Sequence, residues 1–243
     1  MFYPVEVRAI VQSETTRDEV RGEVHRLRAQ LERVQGRRMD APVLPVLAPL
    51  TGILPGGGLR TGSAYSLTRS ASLLAALLAG PSQDGTWCAV VGMPDFGVEA
   101  AESAGVDLSH LVLVPDPGPR WLAVAATLAE VIPVVAVRPA ARAADAEVSR
   151  LGARLRDRAA VLLVQGPWPQ AEASLDLADP EWSGVGRGHG YLAAREVTID
   201  VRSRRWPMPR RARMSLPAAD GGVGAVRSAA SAVPALPRLE AVG

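Results

Sequence analysis

The stretch SAYSLTRSASLLAALLA, residues 63–79, decides the fold. Residues 63–67 predict a short strand, and the alanine- and leucine-rich residues 70–79 predict a helix. The apolar run TWCAVVGM, residues 86–93, predicts a second buried strand at 87–92. A strand, a helix and a strand in this order form a βαβ unit, whose strands lie parallel in one sheet.

The same alternation continues along the chain to residue 165. Helices are predicted at 98–104, 120–130 and 145–158, and strands at 111–114, 133–137 and 159–165. A further strand-like segment, 191–202, closes the series. The predicted fold class is therefore α/β, with a mostly parallel central sheet flanked by helices.

Three regions follow from the composition along the chain: an N-terminal helical segment (1–40), the core (41–205) and a flexible tail rich in Pro, Ala and Arg (206–243). Within the core, residues 166–190 predict a long loop. The N-terminal segment predicts a helix from Thr15 to Gly36 with one apolar stripe, which packs either on the core of this chain or on a partner. The stripe consists of Val20, Val24, Leu27, Leu31 and Val34.

The charged residues exclude several kinds of chemistry. The formal net charge is +2, and all 27 basic residues are arginine, so the chain lacks a Schiff-base lysine and a phosphate-loop lysine.

The single cysteine, Cys88, lies in an apolar run that favours a buried, inert thiol. No apolar stretch is long enough for a membrane span and the first residues do not resemble a signal peptide, so we expect a cytoplasmic protein.

The turn after the first predicted strand departs from a phosphate-binding loop at every chemical position. A P-loop reads G-x-x-x-x-G-K-[ST], because glycines let backbone amides surround the phosphates, lysine neutralises them and the hydroxyl binds Mg²⁺. Ser66 and Ala71 replace the glycines, Ser72 replaces the lysine and Leu73 replaces the hydroxyl. We therefore predict no catalytic residue, no cofactor and no metal at this site, with Arg69 as the nearest alternative cation.

Four segments in order resemble the core of the RecA recombinases. They are LPGGGLRTGSAYSL (54–67), AGVDLSHL (104–111), the basic helix and strand at 150–165, and EVTIDVRSRR (196–205). The resemblance spans about residues 15–205 and implies a RecA-like core. It places Met93 where the family carries its water-activating glutamate, with Asp95 two positions away, and Ala136 or Val137 where an acidic residue ends a strand. Gln165 matches the family's nucleotide-sensing glutamine.

RecA-like proteins of this size without a phosphate loop include the ImuA family, its actinobacterial ImuA-prime branch and the SulA-type cell-division inhibitors. The chain looks most like the ImuA-prime branch. This resemblance implies a non-catalytic adaptor of SOS mutagenesis and DNA repair, active in the mutasome that performs translesion synthesis after DNA damage. The alternatives are a SulA-type SOS inhibitor of cell division and a RecA-like ATPase with an unorthodox nucleotide site at Arg69.

The same resemblance implies the partners. An ImuB-like Y-family polymerase homologue is the direct partner, and an error-prone alpha-type replicative polymerase and the sliding clamp are indirect partners. RecA and single-stranded DNA remain open as further partners, and no membrane is expected. The implied location is the cytoplasm, with nucleoid association upon DNA damage.

Two surfaces are candidates for binding. Trp168 and Trp182 lie in the predicted loop among four carboxylates and one arginine, which favours a protein over DNA. The second surface is an arginine-rich segment that suits single-stranded DNA or an acidic partner, and equally a solubilising flank. It comprises Arg202, Arg204, Arg205, Trp206, Arg210, Arg211 and Arg213.

Asp107, Ser109 and His110 have the residue types of a hydrolase triad. Neighbours in sequence need not face one another, and a triad is recognised by its geometry. We therefore predict a turn before the strand at 111–114 rather than a catalytic site.

Overall fold

The computed structural model describes residues 41–186 and 189–226. The chain divides into two units, Met1–Pro42 and Val43–Gly243, and the architecture below is that of the second. The predicted N-terminal helix, with Val20, Val24, Leu27 and Leu31, lies outside the described residues.

The α/β fold is confirmed as a nine-stranded mixed sheet with helices on both faces. Six neighbouring strands are parallel, in the spatial order β5-β4-β6-β7-β3-β8. They are β3 (Ala64–Leu67), β4 (Cys88–Val91), β5 (Leu111–Val114), β6 (Val134–Val137), β7 (Val161–Gln165) and β8 (Ala173–Gly186). Strands β4, β6 and β7 are buried along their whole length, as expected when helices cover both faces of a parallel sheet.

Within residues 41–186 and 189–226, five helices accompany the sheet: α1 (Ala48–Thr51), α2 (Ala71–Gln83), α3 (Val98–Ser103), α4 (Trp121–Leu128) and α5 (Asp145–Arg158). Short 3₁₀ turns lie at Pro55–Gly57, at Leu108–His110 before β5, and at Gly118–Arg120 before α4. The first three helices pack with one face of the sheet, in a core that includes Leu77 and Leu163. Helices α4 and α5 pack on the other face, in a core that includes Trp121 and Leu155. No helix in the described part of the chain is long and apolar enough to cross a membrane.

Strands continue the sheet beyond β8 in antiparallel order: β9 (His189–Ser203), β10 (Arg210–Ser215) and β11 (Gly224–Ala225). The predicted loop at 166–190 is therefore wrong for 173–186 and 189–190, which belong to β8 and β9. The flexible tail predicted from residue 206 is likewise contradicted for 206–226, and the remainder, 227–243, lies outside the described residues.

Both errors have one physical cause. In β8, the buried Ala173 and Leu175 alternate with polar residues that face away from the helices, and in β10 the buried Met214 follows an arginine in the same way. This half of the sheet has a helix-covered face and a polar face, so its strands are charged as well as apolar. The charged residues interrupt the continuous apolar pattern of the parallel strands, so these segments resemble a loop and a tail in sequence.

Two short strands, β1 (Val43–Leu44) and β2 (Leu59–Arg60), form a separate antiparallel pair before β3. The glycine-rich segment at 54–63 is needed for this pairing, because a Cβ atom on Gly58 would lie 2.3 Å from the carbonyl oxygen of Leu44. The Arg60 amide then donates to the hydroxyl of the fully buried Tyr65, at 2.8 Å. This bond spans the turn between β2 and β3 and fixes the start of β3.

Candidate functional site at the carboxyl edge of the sheet

The carboxyl ends of β3, β4, β6 and β7 lie side by side, since these strands are parallel and adjacent. In open parallel sheets, ligands bind at this edge. Ser70, Asp95 and Arg138 lie in the loops after β3, β4 and β6, and Gln165 is the last residue of β7. The structure brings these four residues together.

These four residues form one continuous chain of hydrogen bonds. The Gln165 side-chain amide, only 1% exposed, donates to the Ser70 carbonyl oxygen at 3.1 Å. Its carbonyl oxygen accepts from Nε of Arg138 at 3.0 Å, and Nη1 of Arg138 donates to Oδ1 of Asp95 at 2.5 Å. This hydrogen bond from Arg138 holds the pKa of the Asp95 carboxyl below its usual value. The carboxylate is therefore an acceptor in an ion pair, rather than a proton-accepting base.

Sequence reasoning identified Gln165 and Asp95 but missed Arg138. The residue directly follows β6, one position beyond Val137, where the resemblance led us to look for an acidic residue. Gly92 permits this arrangement, because a Cβ at that position would lie 2.7 Å from the carbonyl oxygen of Arg138. The sequence signal that could have identified Arg138 is a basic residue directly after a buried strand.

The other positions at which the resemblance placed acidic groups are apolar and buried. Met93 is 3% exposed and belongs to the core on the α2 side. Ala136 and Val137 are fully buried on opposite faces of β6. Of the positions considered for a base or a metal-binding acid, only Asp95 thus carries a carboxylate at this edge.

The five residues of the degenerate phosphate loop do not form one cluster. Ser66 Oγ donates to the carbonyl oxygen of Gly166 at 2.8 Å, and Leu73 is buried in the core. Ala71 begins α2 and Arg69 is exposed beside it. Ser72 accepts a hydrogen bond at 2.7 Å from Arg195, a residue of β9. A distant arginine therefore contacts the position at which a P-loop carries its lysine.

A cavity of about 660 Å³ lies next to this contact, between the start of α2, helix α3, the β8–β9 hairpin and the loop 216–222. Its polar lining comprises Thr68, Arg69, Ser70, Ser72, Ser103 and Arg195, and its apolar lining includes Ala75, Phe96, Leu177, Trp182 and Leu216. No Asp or Glu of the described residues lines it. Its lining accordingly combines positively charged and apolar groups without a carboxylate from the described residues.

Arg195 is held in this cavity by three contacts. Its guanidinium donates to Ser72, and Nε donates to the Leu216 carbonyl oxygen at 2.8 Å. It also lies over the indole of Trp182, 5.4 Å from the ring centroid. Partial burial lowers the pKa of the Arg195 guanidinium below its ordinary value, because the cation has lost part of its hydration. The group remains cationic, since arginine does not lose its proton in proteins.

The arginine-rich segment, in contrast, is largely engaged within the molecule. Arg205 pairs with Glu172, and Arg211 pairs with Asp200. Arg213 bonds both Glu181, at 2.8 Å, and Glu196, at 3.4 Å. These pairs reduce the positive charge available for a phosphate backbone.

Two further members of that segment contact each other. The Arg210 guanidinium stacks 4.0 Å above the half-buried Trp206 ring and donates to the Gly52 carbonyl oxygen at 3.0 Å. Arg202 and Arg204 are exposed beside the half-buried Trp168, in an open hollow of about 450 Å³. Trp168 and Trp182 therefore line different surfaces, although sequence reasoning placed them in one loop.

Asp107, Ser109 and His110 form a local turn structure. Both the Asp107 carboxylate, at 2.8 Å, and the Ser109 hydroxyl, at 3.1 Å, contact the same nitrogen, Nδ1 of His110. A triad histidine contacts its acid and its nucleophile through different nitrogens. Asp107 instead caps the 3₁₀ turn before β5 by accepting from the Ser109 amide at 2.9 Å. The predicted turn is confirmed.

Comparisons with known proteins assign the family. Residues 52–170 match the model of the MT3502 N-terminal domain. The chain is also 32% identical over 151 residues to the protein Rv3395c of Mycobacterium tuberculosis (strain ATCC 25618 / H37Rv), which is named as uncharacterized. This alignment covers 61% of the chain and 67% of Rv3395c. The chain belongs to the same family as Rv3395c. The match to the MT3502 domain covers the strands from β3 to β7 and ends before β8, so the arginine and tryptophan of the cavity, Arg195 and Trp182, lie beyond it.

Proposed function

We propose that this protein is a non-catalytic adaptor, built on a RecA-like core, that acts in damage-induced translesion DNA synthesis and binds an ImuB-like Y-family polymerase homologue. The observation that carries the non-catalytic part is the hydrogen-bonded chain from Ser70 through Gln165 and Arg138 to Asp95. Hydrolysis of a nucleoside triphosphate needs a metal held by oxygen ligands and a group that orients the attacking water. At this edge, the Arg138 guanidinium bonds the Asp95 carboxylate and the Gln165 side-chain carbonyl oxygen. These are the groups that would otherwise hold the metal or orient the water.

The RecA-like part of the proposal is supported by the order of the elements. Parallel strands alternate with helices from β3 to β7, and the sheet then continues through the antiparallel strands β9 and β10. Ligand sites of such sheets lie at their carboxyl edge, and this is where the polar chain and the cavity occur. The four resembling segments at 54–67, 104–111, 150–165 and 196–205 all fall within this architecture.

The adaptor part is supported by the exposed side chains of the β8–β9 hairpin. Trp182 is 51% exposed, and Val185, Tyr191 and Leu192 are more exposed still. Exposed apolar patches commonly mark protein interfaces, and tryptophan and tyrosine are enriched among residues that dominate binding energies. The Arg–carboxylate pairs of β10 favour a protein over DNA as the first partner.

The direct test is to recover the tagged protein from its own host after DNA damage. We expect a Y-family polymerase homologue to copurify, and a strain with the gene deleted to lose damage-induced mutation while keeping spontaneous mutation. Normal induced mutagenesis in the deletion strain would contradict the proposal. Complementation with wild-type protein controls for effects on neighbouring genes.

A calorimetric titration with ATP and Mg²⁺ separates the adaptor from an ATPase with an unorthodox site. We expect no binding by the wild-type protein or by Arg138→Ala, which removes the guanidinium from the edge. Binding that disappears in Arg69→Ala would favour the ATPase, because Arg69 is the exposed cation nearest the degenerate loop.

A further inference from the structure

The cavity beside α2 has the chemistry of a site for an apolar anion. Arg69 and Arg195 contribute positive charge to its lining, and Phe96 and Leu177 contribute apolar surface. The first amides of α2 add partial positive charge at the same end, since a helix N-terminus attracts anions. No carboxylate of the described residues lines the cavity to neutralise these groups. Charge complementarity therefore calls for a negatively charged occupant with an apolar part.

The guanidinium of Arg195 is already positioned for such an occupant. Its bonds to Ser72 and to the Leu216 carbonyl oxygen fix the side chain, and the Trp182 ring covers one face of it. None of these three groups is an anion, so the cation still lacks a charged partner among them. A carboxylate that approaches in the cavity gains a charge-assisted hydrogen bond without having to order a flexible side chain.

We infer that this cavity is the docking site for an extended segment of a protein partner, whose apolar side chain contacts Phe96 and Leu177 while an adjacent carboxylate bonds Arg195 and Arg69. The inference rests on the proposed adaptor function and names the chemistry of its partner: an acidic, apolar peptide segment.

The neighbouring surface favours a peptide over a nucleotide. Trp182 belongs to the cavity and is half exposed, and the exposed Tyr191 and Leu192 follow on the same hairpin. A polypeptide covers this surface together with the cavity, whereas a small ligand leaves it in water. The start of α2 also carries Ala71 and Ser72 where a phosphate cradle needs glycine and lysine, and Ser72 is bonded to Arg195.

A peptide display selection on the full chain tests the inference directly. The probe is a library of random twelve-residue peptides, and selected peptides are resynthesised with a fluorophore for anisotropy measurements. We expect the selected sequences to share an Asp or Glu next to an aromatic residue or leucine. ATP at millimolar concentration should not displace them.

A matched pair of variants at Ala100 locates the binding. Ala100 is exposed on α3 and lines the cavity, so Ala100→Glu adds a carboxylate opposite the arginines, while Ala100→Gln adds nearly the same volume without charge. We expect Ala100→Glu to weaken peptide binding about tenfold and Ala100→Gln to change it by less than about twofold. Arg195→Gln should weaken binding similarly. Arg150→Gln, at an exposed position of α5 on the other face of the sheet, should leave it unchanged.

Three outcomes would overturn the inference: selection of no peptide, equal affinities of the two Ala100 variants, and displacement of the peptides by ATP. The adaptor function is judged separately, by copurification of the polymerase homologue with the wild-type protein. If the wild-type protein and Ala100→Glu recover it equally, the adaptor function stands and the cavity is not its docking site. If the wild-type protein recovers none while peptides bind as expected, the cavity is a peptide site and the proposed function fails.

Discussion

The two halves of the sheet use their polar residues in different ways. In the parallel half, Gln165 and Arg138 bond to each other and to the loops around them. Internal hydrogen bonds therefore connect the loops along the carboxyl edge of the sheet. In the antiparallel half, the polar face carries paired charges, while Trp182, Tyr191 and Leu192 are exposed on the hairpin. The Arg195 guanidinium connects the halves through its bond to Ser72.

This difference indicates where function resides. A parallel sheet buried on both faces is a rigid scaffold, and here its customary ligand edge is occupied by internal hydrogen bonds. The antiparallel strands bury one face only, which leaves their other surfaces available for recognition. The predictions below test this contrast, from the largest expected effect to the smallest.

Thiol reactivity should differ most between the halves. Cys88 is fully buried in β4, and burial raises the pKa of its thiol from 9.0 to about 12. At pH 8 its thiolate population is then about a thousandfold below that of an ordinary cysteine. In Leu192→Cys, we expect a disulfide reagent to modify residue 192 within minutes and Cys88 only after unfolding. Rapid reaction of both thiols would show that the parallel half opens readily.

Leucine truncation should separate the halves in stability. Leu163 is fully buried in β7, whereas Leu192 is 61% exposed. We expect Leu163→Ala to lower the free energy of unfolding by about 2 to 5 kcal/mol and Leu192→Ala by less than about 0.5 kcal/mol. Urea denaturation followed by circular dichroism measures both. Comparable losses of unfolding free energy in the two variants would mean that the Leu192 side chain is buried in solution.

Removal of Arg213 should weaken the antiparallel half modestly. Glu181 and Glu196 face each other directly across β8 and β9, and Arg213 bonds both carboxylates. In Arg213→Ala the two like charges remain opposed, so we expect a loss of about 0.5 to 1 kcal/mol in the free energy of unfolding. The double variant Arg213→Ala, Glu181→Ala should recover part of it. No recovery would exclude carboxylate repulsion as the cause.

The smallest effect should come from Asp95 and depend on pH. Because Arg138 lowers the pKa of this carboxyl in the folded protein, its stabilising contribution is complete above the unfolded pKa of about 3.9. The contribution is lost as the pH falls through the lower, folded pKa. Asp95→Asn should therefore shift the urea midpoint slightly at pH 7, and less at pH 3. Asp157→Asn, at an exposed position of α5, is the control.

The parallel half could be predicted closely from the sequence. The strand at 111–114 and the helix at 145–158 coincide with β5 and α5, because apolar strands and a periodic helix give distinct patterns. Strand β8 was missed because Asp179 and Pro180 interrupt it at a register shift between Ala178 and Glu181. The irregular strand of a half-exposed sheet resembles a loop in its composition.

The site was predictable only where its residues end a strand. Gln165 was identified through the resemblance, which places the family's nucleotide-sensing glutamine at the end of this strand, and Arg138 could have been identified from its position directly after a buried strand. The cavity was not predictable, because its central contact joins Ser72 and Arg195, which are 123 residues apart in sequence. Hydrogen bonds over that separation depend on the register of β9, which no local pattern specifies.

The pairing of β10 with β9 also limits where the chain can be shortened. A protein that ends at residue 205 keeps β9 but loses β10, the strand that pairs with it from Glu196 to Val201. The backbone amides and carbonyls along that side of β9 then have no partner within the chain, and an unprotected edge of this kind recruits strands from other molecules. Residues 210–215 thus protect this edge of β9, and a shortened chain needs to keep β10 together with its partner β11 (Gly224–Ala225).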